Sequence, residues 1–119
     1  MELKKLLENK PNLKENLARY ILKSGVFDDL LKTGRKSAEQ IVLMKLEEKI
    51  YSMNENEIIE YFDEKREFVS QILPNLSGLR EFNFIIYKDG FVLYNCEKSF
   101  KKRKDATIEC IKKLIELSN

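Results

Sequence analysis

The chain contains no histidine. That removes the commonest general base and the commonest metal-binding side chain together. It also removes the Ser-His and Cys-His pairs that activate nucleophiles. The two cysteines, Cys96 and Cys110, are too few for a secreted disulfide framework. Both are expected to be reduced and buried. Two thiolates without an imidazole make a poor zinc set, so no metal and no cofactor is expected. There are four glycines. Neither Gly-x-Gly-x-x-Gly nor a P-loop occurs, which argues against a loop that cradles phosphate. No apolar run approaches the roughly 20 residues of a membrane span. Met1 to Lys10 is charged throughout and does not read as a signal peptide. These absences point to a cytoplasmic protein, in a bacterial, archaeal or host cell, that is not an enzyme.

What is present suits one compact domain over 1–119. Hydrophobic residues make up 43% of the 119, enough for a core without a staple. Charged residues make up 35%, which favours a helix-rich surface. The net charge of +2 is too small for a claim of bulk polyanion binding. Lysine far outnumbers arginine, and isoleucine and asparagine are common. That bias suits AT-rich coding, as in many bacteria, phages and archaeal viruses.

Helix signals dominate the first two-thirds. Leu3, Leu6 and Leu7 predict a short helix over 1–9, stopped by Lys10-Pro11. Asn12, with Glu15 three residues on, predicts a capping-box start. Leu13, Leu17, Tyr20 and Ile21 share one face of that helix, and Ser24-Gly25 closes it. Val26 to Thr33 reads as a short helix burying Phe27, Leu30 and Leu31, with Gly34 as its stop. Ser37 and Gln40 predict the next start, with Ile41, Leu43, Met44, Ile50 and Tyr51 as a broad apolar stripe. Asn54 and Glu57 predict a further one, running from Glu55 to Leu73 and ended by Pro74. Asn75 to Arg80, with Gly78, reads as a loop. Ser99 to Leu117 closes the chain as a helix that buries Phe100, Thr107, Ile108, Ile111, Leu114 and Ile115.

Between these lies one β-hairpin, Phe82 to Cys96, turning at Asp89-Gly90. The fold class is therefore α+β: about four helices, one antiparallel hairpin and a C-terminal helix. Two registers are open. A two-residue turn sets Lys88 opposite Phe91 and Ile86 opposite Leu93. A three-residue loop with a bulge sets Tyr87 opposite Phe91. In either case both faces of the ribbon are apolar. An isolated ribbon is marginal in water, so it needs cover from helices or from another molecule. The residues expected to meet a partner protein, or a second copy of the chain, are Ile85, Tyr87, Phe91, Val92 and Tyr94. A regulator or inhibitor encoded by a phage or another mobile element fits this size and composition.

A second reading starts from Lys98, Lys101, Lys102, Arg103 and Lys104. Residues 98–119 carry seven positive and three negative charges. Cations at a helix start oppose the macrodipole. The functional reading of this cluster is phosphate contact with DNA or RNA. A hairpin followed by a lysine-rich helix start resembles the end of a double-stranded-RNA-binding domain. That domain's three-stranded sheet is not predicted here, and no residue is carried over. A winged helix is the other route, with helices at 13–23, 26–33 and 37–52 as its core and the hairpin as its wing. The acidic helix start at Glu55, Glu57, Glu60, Asp63, Glu64 and Glu67 stands against that route, because it intervenes and would repel phosphate. The same carboxylates sit at a spacing that could seat a hard cation, but a solvated face explains them. Glu47-Glu48-Lys49 contains a nuclease-like Glu-x-Lys triplet, placed mid-helix rather than on a strand. The expected function is non-enzymatic protein binding through the hairpin face. Nucleic-acid binding through the basic helix start is the alternative.

Overall fold

The computed structural model describes residues 2–74 and 81–118. The predicted loop Asn75–Arg80 lies outside them. The chain is α+β and divides into two compact units, Glu2–Met53 and Asn54–Ser118. No helix among the described residues is long and apolar enough to cross a membrane.

The first unit is helical: α1 (Leu3–Leu7), α2 (Pro11–Lys23), α3 (Asp28–Leu31) and α4 (Lys36–Tyr51). The predicted capping boxes at Asn12 and Ser37 are not used. α2 starts on Pro11, whose missing N–H costs nothing at a helix's first position. α4 starts on Lys36, with Arg35 as a cap that makes no side-chain hydrogen bond. α4 buries Ala38, Val42, Leu46 and Ile50, one residue per turn. The predicted stripe is therefore displaced. Ile41, Leu43 and Met44 are exposed, as is Leu31 on α3. Ile41, Val42, Leu43 and Met44 are four successive apolar residues that point all round α4, so its period alone could not choose the inward face.

The second unit begins at α5 (Glu55–Arg66). Its capping box is formed as predicted: the Glu57 N–H donates to Asn54 Oδ1 at 2.9 Å, and the Asn54 N–H donates to Glu57 Oε1 at 3.4 Å. α5 does not continue to Leu73. It ends at Glu67, which adopts a left-handed conformation with φ 58°. Phe68–Pro74 then forms a strand, β1. The hairpin is thus not isolated. β1, β2 (Phe82–Lys88) and β3 (Phe91–Asn95) make a three-stranded antiparallel sheet in that order. α6 (Arg103–Leu117) follows, starting four residues later than predicted because Phe100 is held in an isolated bridge with Phe82. In this order the hairpin is part of a three-stranded sheet rather than a free ribbon.

The hairpin turn has two residues, with φ 53° at Asp89 and φ 81° at Gly90. Positive φ at both positions matches the right-handed twist of the strands it joins. Lys88 faces Phe91 as the two-residue register predicts. The register holds through the next pair and then shifts. Tyr87 faces Val92 and Ile86 faces Tyr94, leaving Leu93 as the extra residue of a bulge. Phe68, Phe84 and Ile86 are buried on one face of the sheet, and Ser70 and Ile72 belong to that face by register. α5 and α6 pack on it and against each other. The Phe62 ring of α5 lies 6.2 Å from that of Phe68. Of the predicted inner residues of α6, Ile111, Leu114 and Ile115 are buried as expected, and the first turns differ. Ala106, Cys110, Ile111, Leu114 and Ile115 are buried, whereas Thr107 and Ile108 are half-buried.

Candidate functional site

Two surfaces of the second unit carry the predicted site residues. The first is the sheet face away from α5 and α6. Register places Val69, Tyr87 and Val92 in one row across all three strands, followed by Gln71, Ile85 and Asn95, then Leu73 and Asn83. Val69 and Val92 are exposed, the latter by 57%. Tyr87 donates its hydroxyl hydrogen to Gln71 Oε1 at 3.1 Å. Of the predicted residues, Ile85, Tyr87 and Val92 come together here. Phe91 pairs with Lys88 and so belongs by register to the Phe68 face, beside the turn, where it is 77% exposed.

Tyr94 does not join them. The bulge at Leu93 turns it onto the other face, where its ring lies 5.8 Å from Phe84 and Lys113 Nζ sits 4.4 Å above it. Val69, Gln71 and Leu73 belong to the outer face and were not predicted, because residues 68–74 read as helix. Their signal was the need of a lone hairpin for a third strand.

The second surface is the basic end of the unit. Lys98, Lys101, Lys102, Arg103 and Lys104 are all exposed, with no acidic residue between them. Among the described residues none of the five has an ion-pair partner. Residues 96–102, the strap between β3 and α6, are held against β2 at two points. Phe82 and Phe100 exchange backbone hydrogen bonds of 2.7 and 2.8 Å, and the Cys96 N–H donates to the Phe84 carbonyl at 3.1 Å. Lys98 Nζ lies 5.5 Å from the centre of the Phe100 ring. The cations are thus carried on backbone that is already fixed, so binding an anion would order little chain. Lys102 caps α6 without a side-chain hydrogen bond. The strap lies at the Phe82 end of β2, about 20 Å from the hairpin turn and Phe91 at roughly 3.4 Å per residue.

Elsewhere the chemistry is quiet. A shallow groove of about 290 Å³ between α2 and α4 is floored by Pro11, Ala18, Leu46 and Ile50. At its rim Lys14 pairs with Glu47 at 3.4 Å. Its ammonium is held above the ordinary lysine range by Tyr51 first and Glu47 second, with partial burial opposing them. Glu47, from the Glu-x-Lys triplet, is thus engaged in an ion pair. Among the described residues no three His, Cys, Asp or Glu side chains gather as a metal group. Both cysteines are free and buried. No family model, no curated protein and no solved structure matches this chain.

Proposed function

We propose that this protein is a non-enzymatic RNA-binding protein that seats the phosphate backbone of a duplex on the strap and on the start of α6. The observation that carries this reading is five exposed, unpaired cations within seven residues, at one end of a helix–strand–strand–strand–helix unit. The third strand moves this reading ahead of the protein-docking one, since its absence was the objection to the resemblance with double-stranded-RNA-binding domains. The resemblance is an argument from topology, and topology alone does not fix function. The charge supplies the physical part. Domains of that kind read the shape and backbone of A-form RNA over about 16 base pairs, with basic side chains on the phosphates.

The test is a binding titration with a 20-base-pair RNA duplex. If about four phosphates are neutralised, affinity falls about a hundredfold between 50 and 200 mM salt. Reversing Lys101, Lys102, Arg103 and Lys104 to glutamate is expected to abolish binding and leave the circular dichroism spectrum unchanged. Glutamate is favoured at a helix amino end, so the fold should not suffer. Retained binding in that variant, or none by the native chain at 50 mM salt, overturns the reading.

The outer sheet face supports a second reading, a protein-docking surface. Its row Val69, Tyr87 and Val92 is left uncovered by α5 and α6. Val69→Asp/Val92→Asp is expected to lose proteins that the native chain retains, without loss of fold. A doubled mass in light scattering that vanishes in this variant would name a second copy as the partner. Equal retention by both chains removes the docking face.

A further inference from the structure

We infer that the acidic face of α5 steers the duplex away from that helix, so that RNA approaches the strap from the β3 side and spans a shorter site than a module using both helices. This rests on the RNA-binding reading. α5 carries Glu55, Glu57, Glu60, Asp63 and Glu64 against Lys65 and Arg66, with Glu67 just beyond its end.

The topology brings the first of these carboxylates, Glu55 and Glu57, to the basic end of the unit, with Glu60 a turn further along. Phe68 follows closely after α5 and pairs with Lys88, next to the hairpin turn. The carboxyl end of α5 therefore lies at the turn end of the sheet. The left-handed Glu67 sends β1 back along α5, so the amino end of α5 points toward the Pro74–Phe82 end. α6 starts at that same end, just after the Phe82–Phe100 bridge. The two helices pack on one sheet face and against each other. A duplex laid over both helix starts would bring phosphates against Glu55 and Glu57 first and, along the helix, toward Glu60 and Asp63. Like charges within a Debye length, about 8–10 Å at 0.1–0.15 M salt, repel with little screening. From residue 98 to residue 104 the strap and helix start carry five cations, flanked by one carboxylate on each side, Glu97 and Asp105. One neighbouring face repels and the other attracts, and built-in repulsion is one of the two ways a surface discriminates.

The experiment uses the full chain and RNA duplexes of 8, 12, 16 and 20 base pairs in 100 mM salt. Glu55→Gln/Glu60→Gln/Asp63→Asn removes three charges and leaves the Asn54–Glu57 capping box intact. A control, Glu8→Gln/Glu39→Gln/Glu48→Gln, removes the same charge from the other unit. The native chain is expected to reach its full affinity by about 12 base pairs. The α5 variant is expected to bind the 20-base-pair duplex three- to tenfold more tightly and to keep gaining up to 16 base pairs. The control should stay within twofold of the native chain. An equal gain in both variants would reduce the effect to net charge and overturn the inference. So would no gain, or a loss showing that α5 carboxylates touch the RNA. In each of these cases the native chain still binds, and the RNA-binding reading stands. Absence of binding by the native chain on every duplex is the separate result that would fell both.

Discussion

Ile86→Asp is expected to unfold the second unit, while Val69→Asp, one strand away, leaves it folded. Ile86 is fully buried at the centre of β2, between Ser70 of β1 and Tyr94 of β3 and beneath α6. A carboxylate placed there is taken out of water at the centre of the core. Either it stays charged at a cost of several kcal/mol, or it takes up a proton and still lacks partners. The whole stability of a domain is only about 5–15 kcal/mol, so a loss of that size abolishes a cooperative transition. Val69 stands on the opposite face, 44% exposed. The same substitution there removes some strand propensity and is expected to cost about 1 kcal/mol. Far-ultraviolet dichroism and a urea titration of both variants measure the contrast. Similar losses at the two positions would show that both faces of the sheet are core.

Alkali is expected to weaken the protein through one thiol. Cys110 is completely buried on α6. Burial pushes its thiol from 9.0 up to about 11, and Cys96 adds to the rise. Ser70 pulls the other way, by more than Cys96 adds, and burial outweighs it. Below pH 9 the thiol is neutral in both the folded and the unfolded chain, and its contribution is fully present. Between pH 9 and about 11 the unfolded chain ionises and the folded chain does not, so stability falls as pH rises. Over two pH units the loss amounts to about 2–3 kcal/mol. Lysines and tyrosines titrate nearby, so the measurement is a difference. Urea midpoints of the native chain and of Cys110→Ala are compared at pH 8, 9, 10 and 11. The gap between them should narrow with pH. A constant gap would mean that the thiol ionises in place.

How far the fold was legible depended on how many signals agreed at each element. At Asn54 and Glu57 the capping residues, the acidic first turn and the apolar period pointed the same way, and the box formed. At Asp89-Gly90 the turn chemistry allowed little else. The failures came where one signal stood alone. Val69, Ile72 and Leu73 continue the helical spacing of Ile58 and Phe62, so periodicity extended α5 by seven residues. The pairing of Phe68–Pro74 with β2 decided otherwise, and such a long-range partner leaves no local mark. On α4, Ile41, Leu43 and Met44 were as apolar as Val42, Leu46 and Ile50, so composition could not choose a face. Tyr94 changed sides because of a single inserted residue, and alternation cannot foresee a bulge. The basic cluster was legible for the opposite reason. Five cations with no acid among them need no register to be found, and the structure added only the strap that fixes their backbone.

The inserted Leu93 also bears on how the sheet ends. β3 is short, carries Phe91 and Val92, and has no proline or lysine to guard its free side. A neighbouring molecule seeking to extend the ladder would meet donors and acceptors whose spacing breaks partway along. Continuous growth into a fibre from that margin is thereby discouraged, even though the strand itself is oily.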